Sequence, residues 1–377
     1  MQNQFLKELK ELVTIDCGTK NIAGVHKIAD IITGHFNAMG GWKSHREDIS
    51  AECGPILYFT NKPDAKKYDI TLLCHMDTVY ADGTCAQHPP FIDGDKYRGP
   101  GVSDMKSGCL AVIYALKNMD KTALDKLSIC ACFTPDEEIG ALYSYNHIEK
   151  LAEKSEYVFV GEASRPNGDM IKARKGNGKI QIEFFGKAAH AGSSLQDGIS
   201  AITELAHWVL AINNLVDLDK GTTASVGVIE GGSGINVVPD YAKALVDQRF
   251  LVNSEGKRTL DYLTNLSKTP FVAGAKVEVK RLAGRPAFEV SNETDNLINI
   301  IQTEAKKLNF DVDFITGGGA SDGNITASKG IPTIDGFGPC GGGFHNVKEE
   351  FIYISTIEPR IKLLQHTLEA MAHYINN

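Results

Sequence analysis

The sequence predicts an α/β protein, a mostly parallel sheet with helices on both faces, interrupted by a smaller α+β domain of ferredoxin-like strand order. Three observations predict it. Up to about residue 170, apolar strand patterns alternate with helical ones, which is the rhythm of βαβ units. From about 176 to 285 the order becomes β-α-β-β-α-β, the split βαβ arrangement. After Gly284 the first rhythm returns. The expected domains are therefore 1–175 together with 286–377, and an insertion at 176–285.

Each element has its own signal. Phe5, Leu6, Leu9, Leu12 and Val13 recur at helical spacing, while Lys7, Glu8, Lys10 and Glu11 break any apolar run. That segment reads as an amphipathic helix and not as a secretory leader. Residues 56–59, 70–74, 127–134 and 157–160 read as strands, and 108–119 and 143–154 as helices. The run 70–74 is continuously apolar, as a strand buried on both faces requires. In 178–185, Ile180, Ile182 and Phe184 alternate with polar residues, the pattern of a half-buried strand. A helix follows, with Ile199, Ile202, Leu205, Ala206, Val209 and Leu210 expected on its apolar face. Strands at 223–230 and 241–251, a helix near 254–267 capped by Ser254, and a strand at 275–281 complete the insertion. A helix at 294–308, a short strand around 331–334 and a long helix from about 356 to 375 end the chain.

Composition narrows the function classes. The chain of 377 residues is 42% hydrophobic and 23% charged, ordinary for a globular protein with a sizeable core. Its net charge is −8 and no basic run occurs, which argues against nucleic acid as the main partner. No stretch is long and apolar enough to span a membrane. The eight cysteines are scattered without a Cys-x-x-Cys pair. They read as small buried hydrophobes in a reducing compartment, so a cytoplasmic location is expected. Cys85 and Cys340, in polar loops beside motifs, are the expected exceptions.

The chemistry gathers at strand ends. The stretch "TLLCHMDTVYADG" (71–83) leaves its strand at His75 and Asp77, and open α/β sheets bind ligands beyond the carboxyl ends of their strands. Asp104 in "GPGVSDMKSG", Glu137 and Glu138 in "TPDEEIG", Glu162 in "FVGEAS" and His345 in "GGGFHNV" occupy similar places. Alone, each has an ordinary explanation. A lone histidine is usually structural or exposed, an aspartate in a glycine-rich loop makes a turn, and paired glutamates suit a helix start. Together, imidazoles and carboxylates at strand ends suit zinc, and such sites can hold two metals. Two ions roughly 3.5–4 Å apart clamp a substrate carbonyl and an attacking water. That arrangement needs one shared carboxylate, about two private ligands per metal and a further carboxylate to move protons. Two histidines, three carboxylates and one spare glutamate meet the requirement, with the adjacent Glu137 and Glu138 dividing the work. Asp77 is placed to accept the second ring N–H of His75; a helix or turn cap is its plainer reading.

In order and spacing, "HMDTV", "GPGVSDMKSG", "DEEIG", "GKAAHAG", "GRPAF", "TGGGASDG" and "FHNVKEEFIYI" resemble family twenty of the metallopeptidases. The resemblance runs from about residue 70 to the C-terminus; before about residue 55 it is one of general pattern only. "GRPAF" and "TGGG" bring it toward the glutamate carboxypeptidase (carboxypeptidase G) branch. The resemblance implies a zinc-exopeptidase-like catalytic domain with an inserted lid that dimerises. It implies two Zn²⁺ per subunit, with Co²⁺ or Mn²⁺ as alternatives. It implies Asp104 as the bridging ligand, His75 and Glu162 completing one site, Glu138 and His345 the other, and Glu137 as general base and acid. It implies that His190 in "AAHAG" reaches the partner's active site in a homodimer; read alone, His190 is a turn residue. For substrate, Arg285 and Arg249 match carboxylate-anchoring positions, with a surface ion pair as the plainer reading of either, and Asn236 matches a lid residue near the substrate. Gly317, Gly318 and Gly319 would let backbone approach it closely.

The expected reaction is release of a C-terminal amino acid, with glutamate a candidate, from a peptide or N-acyl amino acid. The alternatives are a deacylase or desuccinylase of an N-acylated metabolite, a tripeptide aminopeptidase, and a non-catalytic metal-binding relative. The last would be expected to have lost a ligand or the base, and all are present. The remaining histidines, His45 and His147 among them, fall outside these motifs and receive no function.

Overall fold

The computed structural model describes residues 1–376, which divide into two compact units. The larger unit comprises Met1–Ala173, Val290–Gly317 and the chain from Ser321 onward. Its main sheet has eight strands. Parallel pairing joins the central strands, where Ile129–Thr134, Tyr68–His75, Ser155–Val160 and Thr333–Asp335 lie in that order. Outside them, Ile56–Thr60 and Lys43–Glu47 add antiparallel on one side and Met170–Arg174 adds antiparallel on the other. The sheet is thus mixed, with its parallel part limited to the strands joined by helical crossovers.

Burial explains the continuous apolar run. From Ile70 to His75 every residue of the strand is buried, because side chains alternate between two covered faces. Ile70, Leu72 and Cys74 join the core formed with Gln2–Val13, Ile22–Met39, Ser107–Asn118, Thr294–Lys307 and Ile357–Tyr374. Leu73 joins the opposite core with Ile148, Leu151 and Ile325, from the short helices Tyr145–Ala152 and Gly323–Ser328. Phe36 and Phe59 stack at 3.9 Å between the second helix and the sheet. A second, smaller sheet runs Phe91–Asp93, Lys96–Arg98, Phe351–Tyr353, Gly338–Gly342, Ala163–Ser164.

The inserted unit comprises Arg174–Glu289 and Gly318–Ala320. Gly176–Phe185, Thr223–Gly231, Tyr241–Phe250 and Lys276–Ala283 form an antiparallel sheet in the spatial order second, third, first, fourth. Helices Ala201–Asn213 and Asn253–Leu266 pack on it around Phe184, Trp208 and Leu263.

Three expectations need correction. The buried face of Ala201–Asn213 is Ala201, Glu204, Leu205, Trp208, Ala211 and Ile212, whereas Ile202 and Leu210 are exposed. Sequence hydrophobicity misplaced the face because Glu204 belongs to it. Its carboxylate accepts from Trp208 Nε1 at 2.8 Å and from the backbone N–H groups of Phe271 and Val272, which satisfies a charge that would otherwise be excluded. Ser254 does not cap the second helix, which starts at Asn253 after Val252; the Asn253 side chain bonds Ala287 and Glu289 instead. Cys85 and Cys340 are buried like the other six cysteines, and all are free thiols.

Candidate metal centre and active site

The carboxyl ends of the three neighbouring parallel strands supply the cluster. His75 is the last residue of Tyr68–His75, and Glu162 lies just beyond Ser155–Val160. Glu137 and Glu138 form a short turn after Ile129–Thr134. Asp104 sits in the turn that leads into the Ser107–Asn118 helix, and its peptide bond to Met105 is cis. Gly108 lets that helix start close to the sheet, since a Cβ there would lie 1.8 Å from the Gly161 carbonyl oxygen. His345 follows Gly338–Gly342 and has a φ of 62°, in the left-handed region. A non-glycine residue held there marks a backbone fixed by its surroundings.

Asp104 stands between the two histidines. Its Oδ1 lies 3.1 Å from His75 Nε2 and its Oδ2 lies 3.2 Å from His345 Nε2. Glu162 Oε1 lies 3.4 Å from His75 Nε2, and Glu138 Oε2 lies 3.4 Å from His345 Nε2. Two triads result, His75–Asp104–Glu162 and Asp104–Glu138–His345, each with one donor atom per residue all within 4.8 Å of one another. Asp104 belongs to both.

The donor set fits divalent cations. Among the described residues no lysine or arginine is paired with Asp104, Glu138 or Glu162. Glu138 Oε1 is buried without a hydrogen-bond partner. Three carboxylates so enclosed, one with an orphaned oxygen, are costly unless a positive charge joins them. The protonation equilibria carry the same strain. Burial, and then the nearby Asp104 charge, push Glu162 up to about 7. Burial pushes Glu138 up to about 8 against the hydrogen bond from His345. Hydrogen bonds to Asp104 and Glu138 raise His345 to about 10. For Asp104, burial acts upward, but bonds to His345 and His75 outweigh it and hold the carboxyl below the usual range. For His75, burial disfavours the imidazolium, and the Glu162 charge with the Asp104 and Asp77 contacts more than reverses this.

Asp77 does more than the sequence proposed. His75 Nδ1 lies 3.0 Å from the Asp77 backbone carbonyl, closer than the 3.4 Å to its carboxylate. The carboxylate instead accepts the backbone N–H groups of Glu137 (3.1 Å) and Glu138 (3.2 Å), and the Thr19 hydroxyl at 2.6 Å. It ties the end of one strand to the turn after its neighbour. Two further acids escaped the sequence analysis. Asp136 is fully buried and accepts from the backbone of Tyr143 and Ser144 and from the Ser144 hydroxyl, fixing the far side of the glutamate turn. Glu350, also fully buried, accepts the N–H groups of Gly101, Ser103 and Asp104 at 2.8–3.1 Å and the Tyr80 hydroxyl at 2.6 Å. Nothing in "NVKEEF" separates Glu350 from the exposed Glu349 except its place before an apolar run.

The substrate candidates lie in the inserted unit. His190 and Asn236 stand on paired segments, with the Ala191 N–H bonded to the Asn236 carbonyl at 2.9 Å. His190 Nδ1 accepts the N–H groups of Gly192 and Ser193, both at 3.1 Å. Nδ1 is thus occupied as an acceptor, which leaves Nε2 as the ring's donor. Arg285 is 4% exposed, and its backbone is pinned on both sides by Asn177. The Arg249 guanidinium is engaged through Nε and Nη2 by Asp247. Gly318 is exposed, and a Cβ there or at Gly319 would meet open space.

Known proteins resemble this chain along most of its length. Carboxypeptidase G2 of Pseudomonas sp. (strain RS-16) is 28% identical over 364 residues, 96% of this chain and 87% of that protein. Succinyl-diaminopimelate desuccinylase of Hydrogenovibrio crunogenus is 28% identical over 317 residues, 74% of this chain and 78% of that one. In fold, the crystal structure of aminopeptidase PepT from Bacillus cereus superposes with a TM-score of 0.79 at 24% identity, covering 99% of both chains. Residues 71–370, most of the chain and all five residues of the two triads, match one family, and the protein belongs to it: peptidase family M20/M25/M40.

Proposed function

We propose that the protein hydrolyses an amide bond and releases a C-terminal amino acid, with glutamate the leading candidate, from a peptide or N-acyl amino acid. The observation that carries the hydrolytic reading is the division of Asp104 between two ligand triads. His75 and Glu162 would hold one divalent cation, Glu138 and His345 the other, and Asp104 both; zinc suits the donors, and cobalt or manganese share them. Bound there, the ions would polarise the scissile carbonyl and acidify a water molecule.

The chain's own residues do the rest. Glu137 takes the proton of the attacking water and returns it to the leaving nitrogen. Its backbone is fixed by Asp77 and its turn by Asp136, next in sequence to the candidate ligand Glu138. The partner subunit's His190 offers Nε2–H to the developing oxyanion, a role supported by the N–H groups of Gly192 and Ser193 that occupy its Nδ1. Arg285 anchors the substrate carboxylate, supported by the geometric match of a guanidinium to that group; Asn236 assists from the segment beside His190. Likeness to carboxypeptidase G2 over 96% of the chain favours the carboxypeptidase reading. Likeness to the desuccinylase favours a second, an N-acyl amino-acid deacylase on the same machinery.

The inserted unit supports a homodimer. One edge of its sheet, Lys276–Ala283, carries Lys276, Glu278 and Lys280, charges that protect an edge strand. The other, Thr223–Gly231, exposes Val228 (43%) and Ile229 (53%), and Ile202 and Leu210 are exposed on the adjoining helix. That apolar edge is the surface we assign to a second copy.

Four outcomes test this account. Mass spectrometry of zinc-loaded protein offered blocked aryl-glutamates, dipeptides, tripeptides and N-succinyl or N-acetyl amino acids should show C-terminal residues released from blocked substrates. Glu137→Gln should cut kcat by about 10²–10⁴ and keep its metal, and His190→Ala should lower kcat more than it raises KM; cleavage of acyl groups alone would establish the deacylase reading. Zinc binding at pH 7 should expel protons, because His345 and Glu138 titrate above that pH and a ligand must lose its proton to bind. Affinity should therefore rise between about pH 6 and 9, and calorimetric heats that do not depend on the buffer would contradict the assigned ligands. Sedimentation should give a dimer that Ile229→Lys dissociates; a wild-type monomer would remove the edge-strand interface.

A further inference from the structure

A second cavity lies in the larger unit, at the opposite end of the central strand from the metal cluster. Tyr68 opens the eight-residue strand that His75 closes, and the seven steps between them span roughly 23 Å. The cavity has a volume of about 410 Å³, within the range of small-molecule sites. Tyr58 and Tyr68 line it from the sheet, and His147, Lys150 and Lys154 from the helix Tyr145–Ala152 and its end, with Lys43 contributed by the edge strand.

No acidic residue lines it, in a chain of net charge −8. Some exposed lysines are paired, Lys257 with Asp261, Lys276 with Glu278 and Lys329 with Glu149, and others elsewhere on the surface are not. Among the described residues, Lys43, Lys150 and Lys154 have none. Glu47 lies 3.6 Å from His45 and 3.8 Å from His147, so its carboxylate is directed to the two lining histidines. Both tyrosine rings are half-buried against the core, and neither hydroxyl has a hydrogen-bond partner among the described residues. Burial raises both phenols, so they stay protonated and remain donors. Tyr58 also stacks on His45, their rings 5.9 Å apart, which extends a flat apolar wall.

The geometry points to a binding site for a phosphate monoester carried on a flat apolar body. Three point-charge donors and two hydroxyls suit the rounded, multiply charged phosphate; a planar carboxylate is better matched by an arginine fork, and no arginine lines the cavity. The aromatic wall takes the flat body. The site is separate from the metal cluster and independent of the reaction proposed above.

Calorimetric titration of the zinc-loaded protein with phenyl phosphate, inorganic phosphate and citrate tests it. Phenyl phosphate should bind once per chain, about tenfold or more tighter than inorganic phosphate. The double substitution Lys150→Glu with Lys154→Glu should weaken it by at least about tenfold without changing the melting temperature. Lys43→Glu, on a different element, should weaken it as well and serves if the helix variant is destabilised. Absence of saturable binding, tighter binding of citrate, or an affinity unchanged in both variants, which would move the anion to the metal cluster, each overturns the assignment.

Discussion

One carboxylate organises the molecule. Asp104 presents one oxygen to His75 at 3.1 Å and the other to His345 at 3.2 Å, residues 270 positions apart in sequence. Each histidine brings a glutamate with it, so two triads share a residue and lie side by side. Such a concentration of acids is stable only with positive charge among them. In their absence protons take that role, which is why Glu138 and Glu162 titrate near neutrality and His345 far above its ordinary value. The same electrostatics that make the site costly make it a receptor for divalent ions.

A second ring of buried acids makes that placement possible. Asp77, Asp136 and Glu350 spend their oxygens on backbone N–H groups and hydroxyls of the turns that carry the first ring. Loops at strand ends lack a ladder to satisfy their backbone, so a buried carboxylate that accepts several N–H groups replaces it. Glu350 is the clearest case. It fixes the Asp104 turn, and its own backbone N–H bonds Asn346, next to His345, at 2.8 Å. Asp104 and His345, which meet in one triad, are thereby coupled through one residue, by its side chain on one side and its backbone on the other.

Much of this was legible in the sequence. A wholly apolar strand ending in His-Met-Asp, a glycine-flanked Asp104 and a Glu-Glu pair state their chemistry because metal ligands need particular atoms at strand ends. The central strands and the six elements of the insertion were equally readable from periodicity, whereas the helix Ile22–Met39 and the second, smaller sheet were not. What stayed hidden depends on three-dimensional partners. Glu204 looks like a surface residue until Trp208 and the 271–272 backbone come to it. Glu350 and Glu349 differ only in what they touch. Asp77 was expected to serve His75 by its carboxylate; it does so first by its carbonyl, because the carboxylate is drawn to the glutamate turn. Arg249 matched an anchoring position or a surface ion pair in the sequence, and its contact with Asp247 became visible only in three dimensions.

The account rests on Asp104 holding two cations at once. X-ray absorption at the zinc edge of protein loaded with two equivalents of zinc measures this directly. A bridging Asp104 requires a metal–metal vector of roughly 3.5–4 Å, with nitrogen and oxygen neighbours only. A single zinc per chain, or two ions with no such vector, would show that the two triads do not act as one centre.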